Sequence, residues 1–276
     1  MRLSIVAISL CFLGVTFMGC NSFTKVQKSK DYNYKLQKAD EYYAKAKFMY
    51  AQQLYEELFG IFKGTDKFEE LYYKYSLCLY NQEMYGEASA SFKGYLEVFP
   101  NNEHSEEVDY LRALCFYKQS PKLELEQVNT LKTIGMMQTF INTHPGSARI
   151  KEATEIIDKS REKLELKAFR GAQLYYNIGE YRASAIAFSN LMYDFPETKN
   201  GDEYQYLAIK AYYKFATLSV VYKQLERFEK VISEYDDFVE KYPDSKWVKE
   251  AEEYKNLSLH QIKNIENEQT SSSSKW

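Results

Sequence analysis

Apolar and polar positions along this chain follow a helical period, and the period is punctuated. In the first such stretch the apolar residues recur three and four apart, as in Phe48, Ala51, Tyr55 and Leu58, which places them on one helical face. Later stretches end four times on one device: two apolar residues, two others, an aromatic or His, then Pro. It reads Tyr95-Leu96…Phe99-Pro100, Phe140-Ile141…His144-Pro145, Leu191-Met192…Phe195-Pro196 and Phe238-Val239…Tyr242-Pro243. Proline lacks the N–H that a helix needs and biases its predecessor away from helical geometry, so each one marks a helix end. Capping types follow at Asn101/Asn102, Ser147, Thr198 and Asp244/Ser245 and announce the next helix.

Counting back from each Pro uncovers a helix–turn–helix unit. In Ile178-Gly-Glu-Tyr-Arg-Ala-Ser-Ala-Ile-Ala-Phe188, Gly179 makes the turn and Tyr181 opens the second helix. Ala183 and Ala185 are small where helices touch, and Phe188 and Leu191 share a face. The register carries to Tyr85, Ala88, Phe92 and Tyr95, and to Phe228, Val231, Tyr235 and Phe238. The preceding helices repeat as well: Tyr73-Lys-Tyr-Ser-Leu-Cys-Leu-Tyr-Asn-Gln82 returns as Tyr110-Leu-Arg-Ala-Leu-Cys-Phe-Tyr-Lys-Gln119. These residue types and spacings resemble the tetratricopeptide repeat, a helix pair that buries its apolar face only by stacking on neighbours.

The fold class expected is therefore all-α, a tetratricopeptide-like α-solenoid of about five helical pairs plus a C-terminal helix. The pairs fall near 34–62, 67–99, 104–144, 147–195 and 202–242, with the terminal helix near 245–266. Pro121 and an inserted stretch to Asn129 must loop out inside the third pair, and an extended charged helix, Ser147 to about Lys167, precedes the fourth repeat proper. The solenoid occupies 32–267, divided into repeats 32–145 and 146–267. Residues 268–276, with Ser271–Ser274, read as a disordered polar tail.

The amino end is different. One charge, Arg2, precedes an uncharged, mostly apolar run, Leu3–Met18, then Gly19-Cys20-Asn21, the layout of a signal peptide over 1–19. A small residue directly before a cysteine closing such a run resembles the lipobox of bacterial lipoproteins, with Phe17 a departure from the Leu that pattern prefers. Cys20 is thereby the lipidation candidate, whose acyl chains would hold the body on a bilayer, and 20–31 a stalk carrying Lys25, Lys28 and Lys30. The rest of the chain has no stretch apolar enough to span. In bacteria that export lipoproteins to the cell surface an acidic cluster resembles the signal; it is absent after Cys20, which implies a periplasm-facing anchor.

Composition narrows the chemistry. With 36 basic against 39 acidic residues and a formal charge of −3, the chain has no nucleic-acid character. Only 11 Gly and 5 Pro argue against a sandwich or barrel. The three His, at 104, 144 and 260, are scattered and read as capping or solvated. No phosphate-cradling Gly loop, nucleophile elbow or HExxH is present, so no catalytic residue, metal or cofactor is expected. Cys78 and Cys115 hold equivalent repeat positions and read as small core residues rather than a bridge. Of the 26 Tyr, Tyr42, Tyr175 and Tyr222 share one repeat position and Tyr55, Tyr85, Tyr95, Tyr181 and Tyr235 hold others, so most read as core. Tyr43, Tyr73, Leu77, Tyr80 and Asn81 differ, because in the repeat register they lie on first helices and face the concave side. There they serve either packing or the binding of an extended or amphipathic peptide.

A signal peptide, an anchor cysteine, a basic stalk and five irregular repeat pairs resemble the BamD family, lipoproteins of the outer-membrane β-barrel assembly machine. That resemblance implies a lipid-anchored outer-membrane scaffold facing the periplasm and partnered by unfolded outer-membrane proteins and a BamA-like barrel protein. By register, Tyr43, Tyr73, Leu77 and Tyr80 would receive the unfolded substrate, and 165–266 would dock the barrel protein. Two rivals remain open at this point. One is a helical-repeat envelope protein coordinating cell-wall synthesis, and the other a small glycan-binding lipoprotein of the SusD type.

Overall fold

A computed structural model describes residues 23–273, and every regular element in them is helical. Eleven helices follow a short helical turn at 23–27: α1 (Tyr32–Ala44), α2 (Phe48–Phe62), α3 (Phe68–Asn81), α4 (Tyr85–Val98), α5 (Ser105–Lys118), α6 (Val128–Thr143), α7 (Ile150–Asn177), α8 (Tyr181–Asp194), α9 (Gly201–Thr217), α10 (Val221–Lys241) and α11 (Val248–Ser273). They form five helix pairs and a terminal helix, a tetratricopeptide-type all-α architecture. Two compact units divide at Ser160/Arg161, inside α7.

The four prolines act as their chemistry requires. α4, α6, α8 and α10 stop at Val98, Thr143, Asp194 and Lys241, each two residues before Pro. The capping residues that follow work one step earlier than an N-cap. The Ser147, Thr198 and Ser245 hydroxyls accept from the N–H two residues on, at 3.1–3.2 Å. Each also donates to a carboxylate of the preceding pair's first helix or, for Thr198, of α7: Glu106, Glu165 and Asp202. The pair junctions are thus tied side chain to side chain, by the same device three times.

Turns within pairs follow a second device. α1, α3 and α7 end in a Schellman motif, closed by Lys47 N–H to Tyr42 O, Met84 N–H to Leu79 O and Glu180 N–H to Tyr175 O. The motif needs a left-handed residue, and only one of the three is glycine. Gly179 has φ +88°, whereas Ala46 and Glu83 adopt φ +53° and +60° with a Cβ in place.

In the first unit, Leu54, Tyr55, Leu58 and Leu71 fill one core beside α1, and Phe92, Tyr95, Met137 and Phe140 fill a second that the start of α7 closes with Ile156 and Ile157. Gly94 belongs to this packing: a Cβ there would collide with the Tyr72 hydroxyl. In the second unit Phe188, Leu191 and Tyr204 pack against Ala172, and Val231, Phe238 and Ile209 against Ala251. Cys78 and Cys115 are both free and buried, as core residues.

Several expectations are corrected. Part of the stalk 20–31 packs onto the repeats: Phe23 and Val26, three apart on one helical turn, are buried against the first pair, with Phe23 4.5 Å from the Tyr50 ring. The charged stretch 147–167 is not a separate element but the first part of the continuous helix α7. Because that helix contributes to both cores, the units part at 160/161 rather than at 145/146. The terminal helix runs to Ser273, beyond the expected start of a disordered tail at 268, since Glu and Gln favour a solvated helix once α10 supports its beginning. Tyr175 and Tyr222 are not core but 45% and 81% exposed; they sit at pair turns where no further helix covers them. The loop of the third pair does form, over 119–127, held by Gln127 Nε2 donating to the Lys122 and Leu125 carbonyls at 2.9 and 2.8 Å. The signal peptide and Cys20 lie outside the described residues.

Candidate functional site

The first helices of the first unit, α1, α3 and α5, present a face where aromatic rings alternate with bridged charges. Two carboxylates organise it. Asp40 Oδ1 accepts from the Tyr55 hydroxyl at 2.8 Å and from Lys74 Nζ at 2.9 Å. Glu107 accepts from the Tyr73 hydroxyl at 2.8 Å and from the Arg149 guanidinium at 3.0 Å. Lys74–Asp40 and Tyr73–Glu107 are each separated by 34 residues, the length of one repeat. Every such bond therefore joins a helix to its counterpart in the next pair, and the face is cross-braced.

Of the five expected peptide-binding residues, Tyr43, Tyr73, Leu77 and Tyr80 are half-buried and Asn81 is exposed. Tyr43 stands edge-on to Phe48 at 5.7 Å and Tyr80 edge-on to Tyr85 at 5.5 Å. Burial is the first cause pushing both phenols up, and the same holds for Tyr73, where the Glu107 carboxylate adds to it. Tyr73 is already engaged: its hydroxyl is spent on Glu107 and its ring stacks on His104 at 3.9 Å. Asn81 spends its amide on the Leu77 carbonyl at 2.7 Å. What remains open to a ligand is the edges of Tyr43 and Tyr80 and the side chain of Leu77.

Asp40, Lys74, Glu107 and Arg149 escaped the residue-by-residue reading, although the repeat length applied to charges instead of apolar residues would have found two of the bridges. His104, expected only to cap or to be solvated, instead stands beside two carboxylates. Its Nε2 lies 3.4 Å from Glu70, again 34 residues away, and with Glu69 the three offer donor atoms within 4.8 Å of one another. Each already has other work. Glu69 receives the Tyr95 hydroxyl, Glu70 pairs with Lys74 at 3.1 Å, and His104 stacks on Tyr73.

A braced stack of helix pairs with an aromatic face defines a helical-repeat scaffold. More narrowly, the chain belongs to the YfiO family, described as outer membrane lipoprotein, whose model matches residues 28–217. A curated relative, the outer membrane protein assembly factor BamD of Caulobacter vibrioides (strain ATCC 19089 / CIP 103742 / CB 15), is 20% identical over 133 residues. That alignment covers 48% of this chain and 44% of the relative, so it spans less than half of that protein's length. Among solved structures, the TPR2AB-domain:pHSP90 complex of yeast Sti1 aligns with 83% of this chain and 98% of its own at 12% identity, with a TM-score of 0.38. No helix among the described residues is long and apolar enough to cross a membrane.

Proposed function

We propose that this chain is a lipid-anchored, periplasm-facing scaffold of outer-membrane β-barrel assembly, and not an enzyme. The observation that carries the reading is the family match over 28–217, joined to a relative named as an assembly factor. Cys20 is the lipidated residue in this reading. The face bearing Tyr43, Tyr73, Leu77, Tyr80 and Asn81 receives unfolded barrel segments, and residues within 165–266 dock a BamA-like barrel protein. An unfolded barrel strand carries alternating apolar residues and an unpaired edge, both prone to aggregate. Half-buried aromatic edges on a braced helical face shelter such side chains without closing over them. Tethering at the membrane raises their local concentration beside the insertion machinery.

Photo-crosslinking in cells tests this. A photoreactive side chain in place of Leu77 is expected to capture barrel precursors, while one in place of the exposed Lys93 captures few. Capture of cell-wall synthases or of a glycan transporter at Leu77 refutes the reading. Cys20→Ala is expected to release the chain from the membrane fraction.

A further inference from the structure

Within the span proposed to dock a barrel protein, the second unit carries a basic hollow beside an apolar turn, and most of it lies beyond residue 217, where the family match ends. A cavity of about 390 Å³ opens between α8, α9 and α10. Four cations, Arg182, Lys223, Arg227 and Lys230, line it against one carboxylate, Glu226, in a chain whose net charge is −3. Tyr212 and Phe215 form its aromatic floor. The Arg227 guanidinium sits 4.0 Å over the Phe215 ring and donates to the Ser219 hydroxyl. Lys223 pairs with Glu226 at 3.2 Å and Lys230 with Glu234 at 2.7 Å. Among the described residues, neither Arg182 nor Arg227 has a carboxylate within ion-pair distance.

Beside this hollow stands an apolar tip. The α9–α10 turn exposes Leu218 (72%), Val221 (65%) and Tyr222 (81%), and the α7–α8 turn exposes Ile178 (62%). Arg182, second in α8, and Lys223, third in α10, line one cavity, so both turns lie at the same end of the unit. Lys223, Arg227 and Lys230 then follow the tip along one face of α10 at spacings of four and three, over about 10 Å of rise.

We infer that this end of the second unit seats on an anionic phospholipid surface, with the cavity taking a headgroup phosphate and the Leu218–Tyr222 turn entering the headgroup–acyl boundary. The order of chemistry along the axis selects the occupant. A protein partner presents an apolar centre ringed by polar groups. Here the apolar side chains stand exposed at the turn and the cations follow from it along α10, the order that a bilayer presents as hydrocarbon and then phosphate. A free phosphate would fill the hollow but leave the tip in water. The inference does not depend on the barrel-assembly reading.

The test uses the full chain extracted from membranes and reconstituted into vesicles, carrying Tyr222→Trp, with the unsubstituted chain's tryptophan signal subtracted. Acyl-brominated lipid should quench the new tryptophan in vesicles of phosphatidylcholine with phosphatidylglycerol, and not in phosphatidylcholine alone. Replacing two cations, Arg182→Glu with Lys223→Glu, should lower the engaged-to-free ratio of the tip at least roughly thirtyfold, with circular dichroism unaltered. Should that double variant fail to fold, Val221→Asp at the exposed tip should abolish quenching instead. Absent quenching in anionic vesicles overturns the inference, as does equal quenching in neutral ones. So does release by millimolar inorganic phosphate, which marks a free-anion site, or by an acidic peptide, which marks a protein partner.

Discussion

Raising the pH past the point where an open chain's tyrosines ionise should destabilise this protein steeply, because folding buries phenols beside carboxylates that keep them protonated. Tyr55, Tyr95 and Tyr204 are 0%, 0% and 4% exposed, and each donates its hydroxyl to a carboxylate, Asp40, Glu69 and Glu165. Burial is the first cause pushing each phenol up, and the carboxylate is the second. For Tyr204 the result is about 12, against about 10 in an unfolded chain. Below pH 10 both states hold the proton and the stabilisation is complete. Above it the unfolded state releases the proton while the native state keeps it, so stability falls as pH rises toward the native value. At pH 11 one such phenol costs about 1.4 kcal/mol, and three cost roughly 4 kcal/mol, a large part of an ordinary stability of about 5–15 kcal/mol. Urea melts followed by circular dichroism at pH 8, 10 and 11, with tyrosinate absorbance recorded alongside, measure the loss. Tyr204→Phe should remove about 1 kcal/mol of the drop between pH 10 and 11. An unchanged urea midpoint at pH 11, or the same drop in Tyr204→Phe, would refute the reasoning.

The turns offer a paired prediction. Ala46→Gly and Glu83→Gly should each stabilise by roughly 0.5–1 kcal/mol, whereas Gly179→Ala should destabilise by about 1 kcal/mol, since all three positions hold positive φ; thermal melts with the same sign for both kinds of substitution would contradict this. Cys78 and Cys115, whose thiols burial pushes up to about 12, should resist an aromatic disulfide reagent at pH 8 in the native protein and react fully in urea. Peptide mapping that finds either one labelled without denaturant would show the core to be open. At the cross-brace, Glu107→Gln and Tyr73→Phe should couple by about 0.5–1 kcal/mol in a double-mutant cycle, the side chains being only half-buried. Strict additivity would mean that the 2.8 Å bond contributes nothing.

Local backbone chemistry is legible along the chain wherever one residue suffices to determine it. Pro100, Pro145, Pro196 and Pro243 end their helices within one residue of the expected positions because a missing N–H acts without reference to any partner. Tyr181 opens α8 and Gly179 turns into it for the same kind of reason. The repeat of Tyr73–Gln82 at Tyr110–Gln119 likewise announces stacked pairs, since an amphipathic pair must find a second one. Only the tertiary structure decides what each face meets. Ala46 and Glu83 take a glycine's conformation because the helices they join are packed, a cost no local rule would accept. Phe23 and Val26 are buried by the first pair, while Tyr175, alike in register to the half-buried Tyr42, stays in water at an uncovered turn, and Tyr222, second in α10, falls at a different place in its pair and is exposed as well. The cross-braced face and the basic hollow under an apolar tip are of this second kind. Burial and charge pairing depend on which helix lies next to which, and that is settled by packing across tens of residues, not by the residues themselves.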